Sequence, residues 1–228
     1  DKSKIERINL STTVSTNAIV EGNTSPVGMI IQSGPGLPND FLACGDENAF
    51  ISGYIDHRGK IVRDLDLNEV EKTAQLFKQK GISSAAVVTK FSTRNPSHEL
   101  AIKEAIESDF SHITMGHNIS GKLNFPRRVF TSYLNSAVYD TFNEFSNNIK
   151  ESMKKEGVNA PVYILKADGG TTNLPTAEEK PVETILSGPA ASFMGLNAMF
   201  HTDKDALLLD VGGTTPDIFF LAYPYLNL

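Results

Sequence analysis

Leu207-Leu208-Leu209-Asp210-Val211-Gly212-Gly213-Thr214-Thr215-Pro216-Asp217-Ile218-Phe219-Phe220 is the stretch whose reading decides the fold. An apolar run delivers a carboxylate to a Gly-Gly turn. Two hydroxyls, a second carboxylate and a second apolar run follow. That order predicts a β-hairpin. Gly212 and Gly213 carry no Cβ and tolerate positive φ, so an anion such as phosphate can approach their N–H groups. Thr214 and Thr215 add further donors. Asp210, at the end of a strand, suits a hydrated Mg²⁺, which takes few carboxylates and keeps several waters. The plainer reading is an Asp-rich two-residue turn, since Gly-Gly is common in hairpins. Spacing alone leaves both readings open.

Strand and helix signals alternate on either side, which predicts an α/β fold of two lobes, with mixed or parallel sheets and covering helices. Residues 26–32 and 82–89 read as buried strands, and residues 112–115 as a short one. Residues 50–55 and 60–63 flank an Asp56-His57-Arg58-Gly59 turn. Helices are expected over 66–80 and 96–108, and over 16–21 with Ser15 as cap. The loop-rich segment 116–126 is expected to separate the lobes. Beyond it, Phe130, Leu134, Ala137, Val138, Phe142, Phe145, Ile149 and Met153 recur at helical spacing. They predict one helix over 127–156, about 45 Å long. Residues 161–165 read as a strand feeding Asp168-Gly169-Gly170. Ser187 is placed to cap a helix with Pro189 in its first turn. That helix is apolar nearly all round, so it is expected to be deeply packed.

Composition narrows the function. The chain has 228 residues, is 40% hydrophobic and carries a net charge of −6 without a basic run, which argues against nucleic-acid binding. No apolar stretch approaches the roughly 18 residues of a membrane span, no signal peptide opens the chain, and a cytoplasmic protein is expected. The single Cys44 excludes an internal disulfide framework and a cysteine-cluster metal site. The five histidines are scattered, without metal-ligand spacing. Asp168-Gly169-Gly170 follows a strand as Asp210 does, so the two carboxylates can line one crevice; a turn stabilised by its own Asp is the alternative. Thr13 and Asn17, at the start of a short helix, offer hydroxyl and amide donors to an anion, or serve only as local capping.

Four segments together resemble the hydantoinase A/5-oxoprolinase family, within the actin, sugar-kinase and Hsp70 ATPase superfamily. They are Ser11-Thr-Thr-Val-Ser-Thr-Asn-Ala-Ile19, Ala167-Asp-Gly-Gly170, Thr184-Ile-Leu-Ser-Gly-Pro-Ala-Ala191 and Asp210-Val-Gly-Gly-Thr-Thr-Pro-Asp217. They stand in the family's order and span nearly the whole chain. The resemblance implies part of an actin-like, ribonuclease-H-like ATPase fold. Residues 1–120 would be the C-terminal part of the family's N-terminal region, and residues 121–228 the start of its hydantoinase A domain. The family's first phosphate hairpin would precede Asp1 and its adenosine-binding half would follow Leu228. The chain alone is therefore expected to be inactive. Pro216 departs from the family's usual threonine and removes one N–H and one hydroxyl.

The resemblance further implies an enzyme that uses ATP and Mg²⁺ to open a hydantoin or 5-oxoproline-like cyclic amide, with a second subunit of the hydantoinase B type as a possible partner. Asp210 and Asp217 would be catalytic, with Asp210 on the metal. Gly212, Gly213, Thr214, Thr215, Asp168, Gly169, Gly170, Ser187, Gly188, Thr13 and Asn17 would contact the nucleotide. The alternative is a non-catalytic nucleotide-binding or subunit-docking module of a related complex, such as an ATP-dependent ketone carboxylase.

Overall fold

The structure is a computed structural model that describes residues 2–121, 123–200, 204–212 and 216–222. The chain forms two compact units, residues 22–141 and residues 1–21 with 142–228. It opens with β1 (Ile8–Leu10) and α1 (Val14–Val20). The helix starts two residues earlier than expected. Ser15 lies inside it, fully buried, so Ser15 is no cap; Thr13 holds that position without a side-chain bond to a backbone N–H of the first turn.

The unit of residues 22–141 follows. Its strands are β2 (Val27–Gln32), β3 (Glu47–Phe50), β4 (Tyr54–Ile55), β5 (Ile61–Arg63), β6 (Ser84–Thr89) and β7 (His112–Met115). Its helices are α2 (Leu67–Gln79), α3 (Ser97–Ile106), α4 (Gly116–Ile119) and α5 (Phe125–Ala137). The strands β3-β2-β6-β7 form a parallel sheet in that spatial order. Every residue of β2 and β6 is buried, as expected for a parallel sheet covered on both faces. Ile30, Ala85 and Val87 pack with Val70, Phe77, Ile102 and Ile106 on one face; Met29, Ile31, Ala86 and Val88 pack with Phe125 and Val129 on the other. The single strand expected over 50–55 is divided instead. Phe50 ends β3, and Gly53, at φ +88°, turns the chain into the β4–β5 hairpin. A side chain at Gly53 would meet the Asp64 carbonyl at 2.7 Å.

A buried polar cluster sits at the carboxyl end of β6. The fully buried Glu99 carboxylate accepts from the Thr89 N–H at 2.8 Å, the His117 N–H at 2.9 Å and His117 Nδ1 at 2.5 Å. The buried Arg128 guanidinium donates to the Thr89 carbonyl at 3.1 Å. Arg128 also feels the Glu99 charge, which favours its protonated form against a larger opposing effect of burial.

The expected single helix over 127–156 is two helices. α5 ends at Ala137, Val138 adopts a non-helical conformation, and α6 (Tyr139–Glu156) begins at once. Helical periodicity continues through the junction because a one-residue break barely rotates the apolar stripe. The change of compact unit at 141/142 falls within α6, away from the loop at 116–126.

The second unit continues with β8 (Val162–Leu165), β9 (Thr171–Asn173), α7 (Leu174–Glu179), α8 (Ser187–Met199), β10 (Ala206–Val211) and β11 (Pro216–Leu221). β1 pairs parallel with β8, and β8 antiparallel with β9, giving a mixed sheet. Phe142, Val162, Ile164, Leu174 and Ala177 form its core, with Ile8, Leu10 and Phe145 packed against them. The β1–β8 pairing is what returns residues 1–21 to this unit. The expected deep packing of α8 does not hold. Of its residues only Ser187 is buried, because the described residues cover one side of this all-round apolar helix.

Candidate functional site

The threonine-rich segment braces the Ser-Gly-Pro-Ala segment. The Ser187 hydroxyl donates to the Thr12 carbonyl at 3.0 Å. Ser15 and Thr184 share a hydroxyl–hydroxyl bond of 3.2 Å, and the Leu186 N–H donates to Thr16 Oγ1 at 2.9 Å. Leu186 sits in the left-handed region, φ +63°, an uncommon place for a branched side chain. It occupies the N-cap position of α8, so Ser187 is not the cap that its sequence position suggests. Gly188 permits close approach, since a Cβ there would lie 2.8 Å from Thr13 Cγ2. Asn17 Nδ2 donates to Thr13 Oγ1 at 3.3 Å. Every one of these donors has a partner within the protein.

Asp168-Gly169-Gly170 is the turn joining β8 to β9. The Asp168 carboxylate accepts from the Gly170 N–H at 2.9 Å and from Lys166 Nζ at 3.1 Å. These contacts, the Gly170 bond first, hold its carboxyl below the usual Asp range. Gly169 takes φ +82°, and a Cβ on it would fall 2.4 Å from Met194 Sδ. This glycine is therefore required twice, for its backbone conformation and for the approach of α8.

Asp210 and Asp217 are direct partners across the antiparallel β10–β11 hairpin, so their side chains stand on one face. Like charges in that relation repel, and a cation between them would relieve the repulsion. The Ser192 hydroxyl of α8 donates a short hydrogen bond to Asp210 Oδ2. Phe193 packs on Phe219 from the same face, with ring centroids 5.7 Å apart. The opposite face presents Leu207, Leu209, Val211, Ile218 and Phe220 to solvent. Gly212 is exposed at the end of β10; Gly213, Thr214 and Thr215 lie outside the described residues. Two hard carboxylates, one oriented by a hydroxyl, fit the few-carboxylate habit of Mg²⁺. Among the described residues there is no group of three or more His, Cys, Asp or Glu side chains able to hold a metal.

The three segments converge on one cavity of about 470 Å³. The Asp168-Gly169 turn, Leu186, Pro189, Ala190, Phe193 and Met194 from the start of α8 and its approach, and Phe219 from the hairpin line it. Ser192 is the residue that sequence reasoning missed. Along the sequence it is one more small residue in the run Gly188-Pro189-Ala190-Ala191-Ser192. Its hydroxyl acquires a role only once the hairpin folds back on α8. Cys44 is buried, and burial pushes its thiol up to about 11, so it is no candidate nucleophile.

The model of the hydantoinase/oxoprolinase N-terminal region matches residues 1–110, and that of hydantoinase/oxoprolinase matches residues 128–226. The chain belongs to the hydantoinase/oxoprolinase family. Relatives in this family include 5-oxoprolinase 1 of Arabidopsis thaliana, 22% identical over 94% of this chain and 20% of its own length. Caprolactamase subunit alpha of Pseudomonas jessenii is 26% identical over 74% of this chain and 25% of its own. The chain thus spans about a quarter or less of the curated relatives it matches. Among solved structures, nucleotide-free acetone carboxylase superposes with a TM-score of 0.76 at 16% identity, covering 94% of this chain and 35% of that one. The ATP-dependent caprolactamase of Pseudomonas jessenii superposes with a TM-score of 0.71 at 23% identity, covering 92% of this chain and 34% of that one. The chain shares the α/β fold of both structures.

Proposed function

We propose that this chain supplies one phosphate-binding wall of an enzyme that opens a cyclic amide at the expense of ATP. The observation carrying this reading is the Asp210–Asp217 pair, set on one face of the hairpin and held from α8 by Ser192. A lactam carbonyl is a poor electrophile. Its oxygen would attack the γ-phosphorus of ATP, ADP would leave, and the ring carbon would then carry a phosphoryloxy leaving group. Water would add to that carbon, the C–N bond would break with a proton passing to nitrogen, and a second water would cleave the resulting acyl phosphate into carboxylate and inorganic phosphate. Catalysis of this kind is positioning and charge neutralisation. Mg²⁺, when bound, supplies positive charge to the phosphate oxygens. Asp210 would hold it, directly or through water, and Asp217 would orient water or brace the hairpin. The N–H groups of Gly212, Gly213, Thr214 and Thr215 would meet the β- and γ-phosphates. Asp168, Gly169 and Gly170 would form the opposite rim. The hydrogen bonds of Thr13, Asn17 and Ser187, with the close approach of Gly188 to Thr13, favour a bracing part for these four. In family terms, residues 1–120 would close the N-terminal region and residues 121–228 would open the hydantoinase A domain.

The superposition on acetone carboxylase favours a second reading: a nucleotide-binding or subunit-docking module of an ATP-dependent carboxylase, working with a second subunit. ATP turnover by the whole protein, with hydantoin, 5-oxoproline, ε-caprolactam and ketones as candidates, separates the two. Stimulation by a lactam without bicarbonate supports ring opening. Stimulation only by a ketone with bicarbonate overturns it.

A further inference from the structure

The parallel sheet of residues 22–141 changes winding direction between β2 and β6. The two strands lie side by side, with their last residues, Gln32 and Thr89, in register. The chain leaves β2 toward β3 on one side, and leaves β6 through α3 toward β7 on the other. In open α/β sheets, ligands bind outside the carboxyl ends of strands whose connections diverge in this way.

Polar groups without partners gather at that point. Gln32 and Thr89 follow Ile30 and Val87 at a spacing of two, so both face the side covered by α2 and α3. Gln32 Oε1 meets Nδ1 of His98, in the first turn of α3, at 2.8 Å. Beside them, the hydroxyls of the fully buried Thr89 and Ser92 have no hydrogen-bond partner among the described residues, and neither do those of Thr93 and Ser97. Buried hydroxyls left in that state are uncommon and costly, and a bound polar group would satisfy them. The Ser97 N–H donates to Asn95 Oδ1 at 3.0 Å, whereas the His98 and Glu99 N–H groups have no acceptor within the helix. Lys90 Nζ reaches from the loop after β6 to the loop after β2, donating to the Pro35 carbonyl at 2.7 Å. Residues 90–97 include Lys90 and Arg94 and no carboxylate, and residues 33–38 are uncharged. With Arg128, these cations outnumber Glu99 and Asp64, the carboxylates felt by Arg128 and His98, by three to two.

We infer that the carboxyl ends of β2 and β6 form an oxyanion site, which takes the phosphate or carboxylate group of a small molecule. It lies in the compact unit that does not contain the Asp210 hairpin, and it stands independently of the function proposed for that hairpin. The Thr89 and Ser92 hydroxyls and the start of α3 supply donors, where the helix end also favours negative charge. Lys90 closes the site in the absence of a ligand. An oxyanion displaces the neutral Pro35 carbonyl from it, because a bond charged on both sides is the stronger one.

Hydrogen-exchange mass spectrometry of the whole protein tests this, since it localises binding along the chain. Sodium phosphate, sodium acetate and sodium chloride are compared at equal ionic strength. We expect phosphate or acetate, but not chloride, to slow exchange in residues 33–38 and 90–99; the anion that does so identifies the group as phosphate or carboxylate. Thr89→Val and Lys90→Gln should each raise the half-saturating concentration by about tenfold, the loss expected for one bond to a charged group. Valine keeps the shape of threonine. Without anion, Thr89→Val should therefore melt at or above the parent, because its hydroxyl has no partner to lose. A lower melting temperature would assign that hydroxyl to a structural water and overturn the inference. Protection by neither anion, protection confined to residues 206–221, or unchanged half-saturation in both variants would overturn it as well.

Discussion

Replacing Glu99 by alanine should unfold residues 22–141 more readily than any other single truncation in that unit. The carboxylate is fully buried and accepts from two backbone N–H groups and one imidazole nitrogen, beside the buried Arg128. Alanine leaves the Thr89 and His117 N–H groups without an acceptor, at about 1–3 kcal/mol for each buried group. It also removes the His117 imidazole's carboxylate partner and the negative charge that favours the protonated form of the buried Arg128 guanidinium. These effects overlap, so about 4 kcal/mol is expected for Glu99→Ala. Glu99→Gln should cost about half that, since one acceptor survives and its amide meets a donor. The chain contains no tryptophan, so intrinsic fluorescence is a poor probe. Hydrogen exchange is better suited, because the amides of Val87 and Val88 in β6 open only with the whole sheet. A loss of about 4 kcal/mol accelerates their exchange by roughly 10³-fold. Acceleration below about tenfold in Glu99→Ala would refute the reasoning, because the Thr89 and His117 N–H groups would then have found other acceptors.

Asp210→Asn in the whole protein should lower Mg·ATP turnover by about 10²-fold or more, with an unchanged melting curve; turnover near the unaltered level would refute the phosphate-wall reading. Ser192→Ala should lower kcat by about tenfold through a misoriented Asp210, with Ser192→Thr recovering most of it, and an unaltered kcat in the alanine variant counts against a positioning role. Gly188→Val should destabilise by about 1–3 kcal/mol, since a Cβ would lie 2.8 Å from Thr13 Cγ2; a melting temperature at or above that of the parent would contradict this. His112 stacks on Tyr139 at 3.5 Å, and burial, opposed by Asp140 and aided by Lys103, depresses its pKa from 6.5 to about 4. The unfolded chain therefore binds the extra proton first as pH falls, so stability should drop between about pH 6.5 and 4, by up to about 3 kcal/mol, and level off below. His112→Phe should flatten that slope, and an equal slope in the variant would assign it to other groups.

The sequence discloses what is local. β2 and β6 are legible as unbroken apolar runs, α2 from Asp66, whose side chain accepts from the Asn68 and Glu69 N–H groups, and the Asp168 turn from its glycines. The hairpin at Asp210 is legible for the same reason, since its two apolar runs flank one turn. What escapes is set by partners far away in the chain. Ser15 looks like a cap until Thr184, 169 residues on, takes its hydroxyl. Val138 interrupts a helix whose stripe continues on both sides. Glu99 sits on an ordinary amphipathic helix, and only the fold brings Thr89, His117 and Arg128 around it. The apolar composition of α8 reports that it can be buried on all sides, whereas its actual exposure depends on which surfaces meet it.

Pro216 illustrates how the structure changes the meaning of a sequence departure. Read along the chain, it deletes an N–H and a hydroxyl from a phosphate-binding turn. In the hairpin it is the first residue of β11, paired with Val211. The start of a strand is where proline is tolerated, since a lost ladder donor there breaks no continuing row of bonds. The following partners, Asp217 with Asp210, still meet in register. Proline also fixes φ near about −65°, which stiffens the chain at the point where it leaves the turn. A stiffer exit constrains Asp217 relative to Asp210, while Ser192 constrains Asp210 from the other side. Both carboxylates are then held by elements outside the glycine turn.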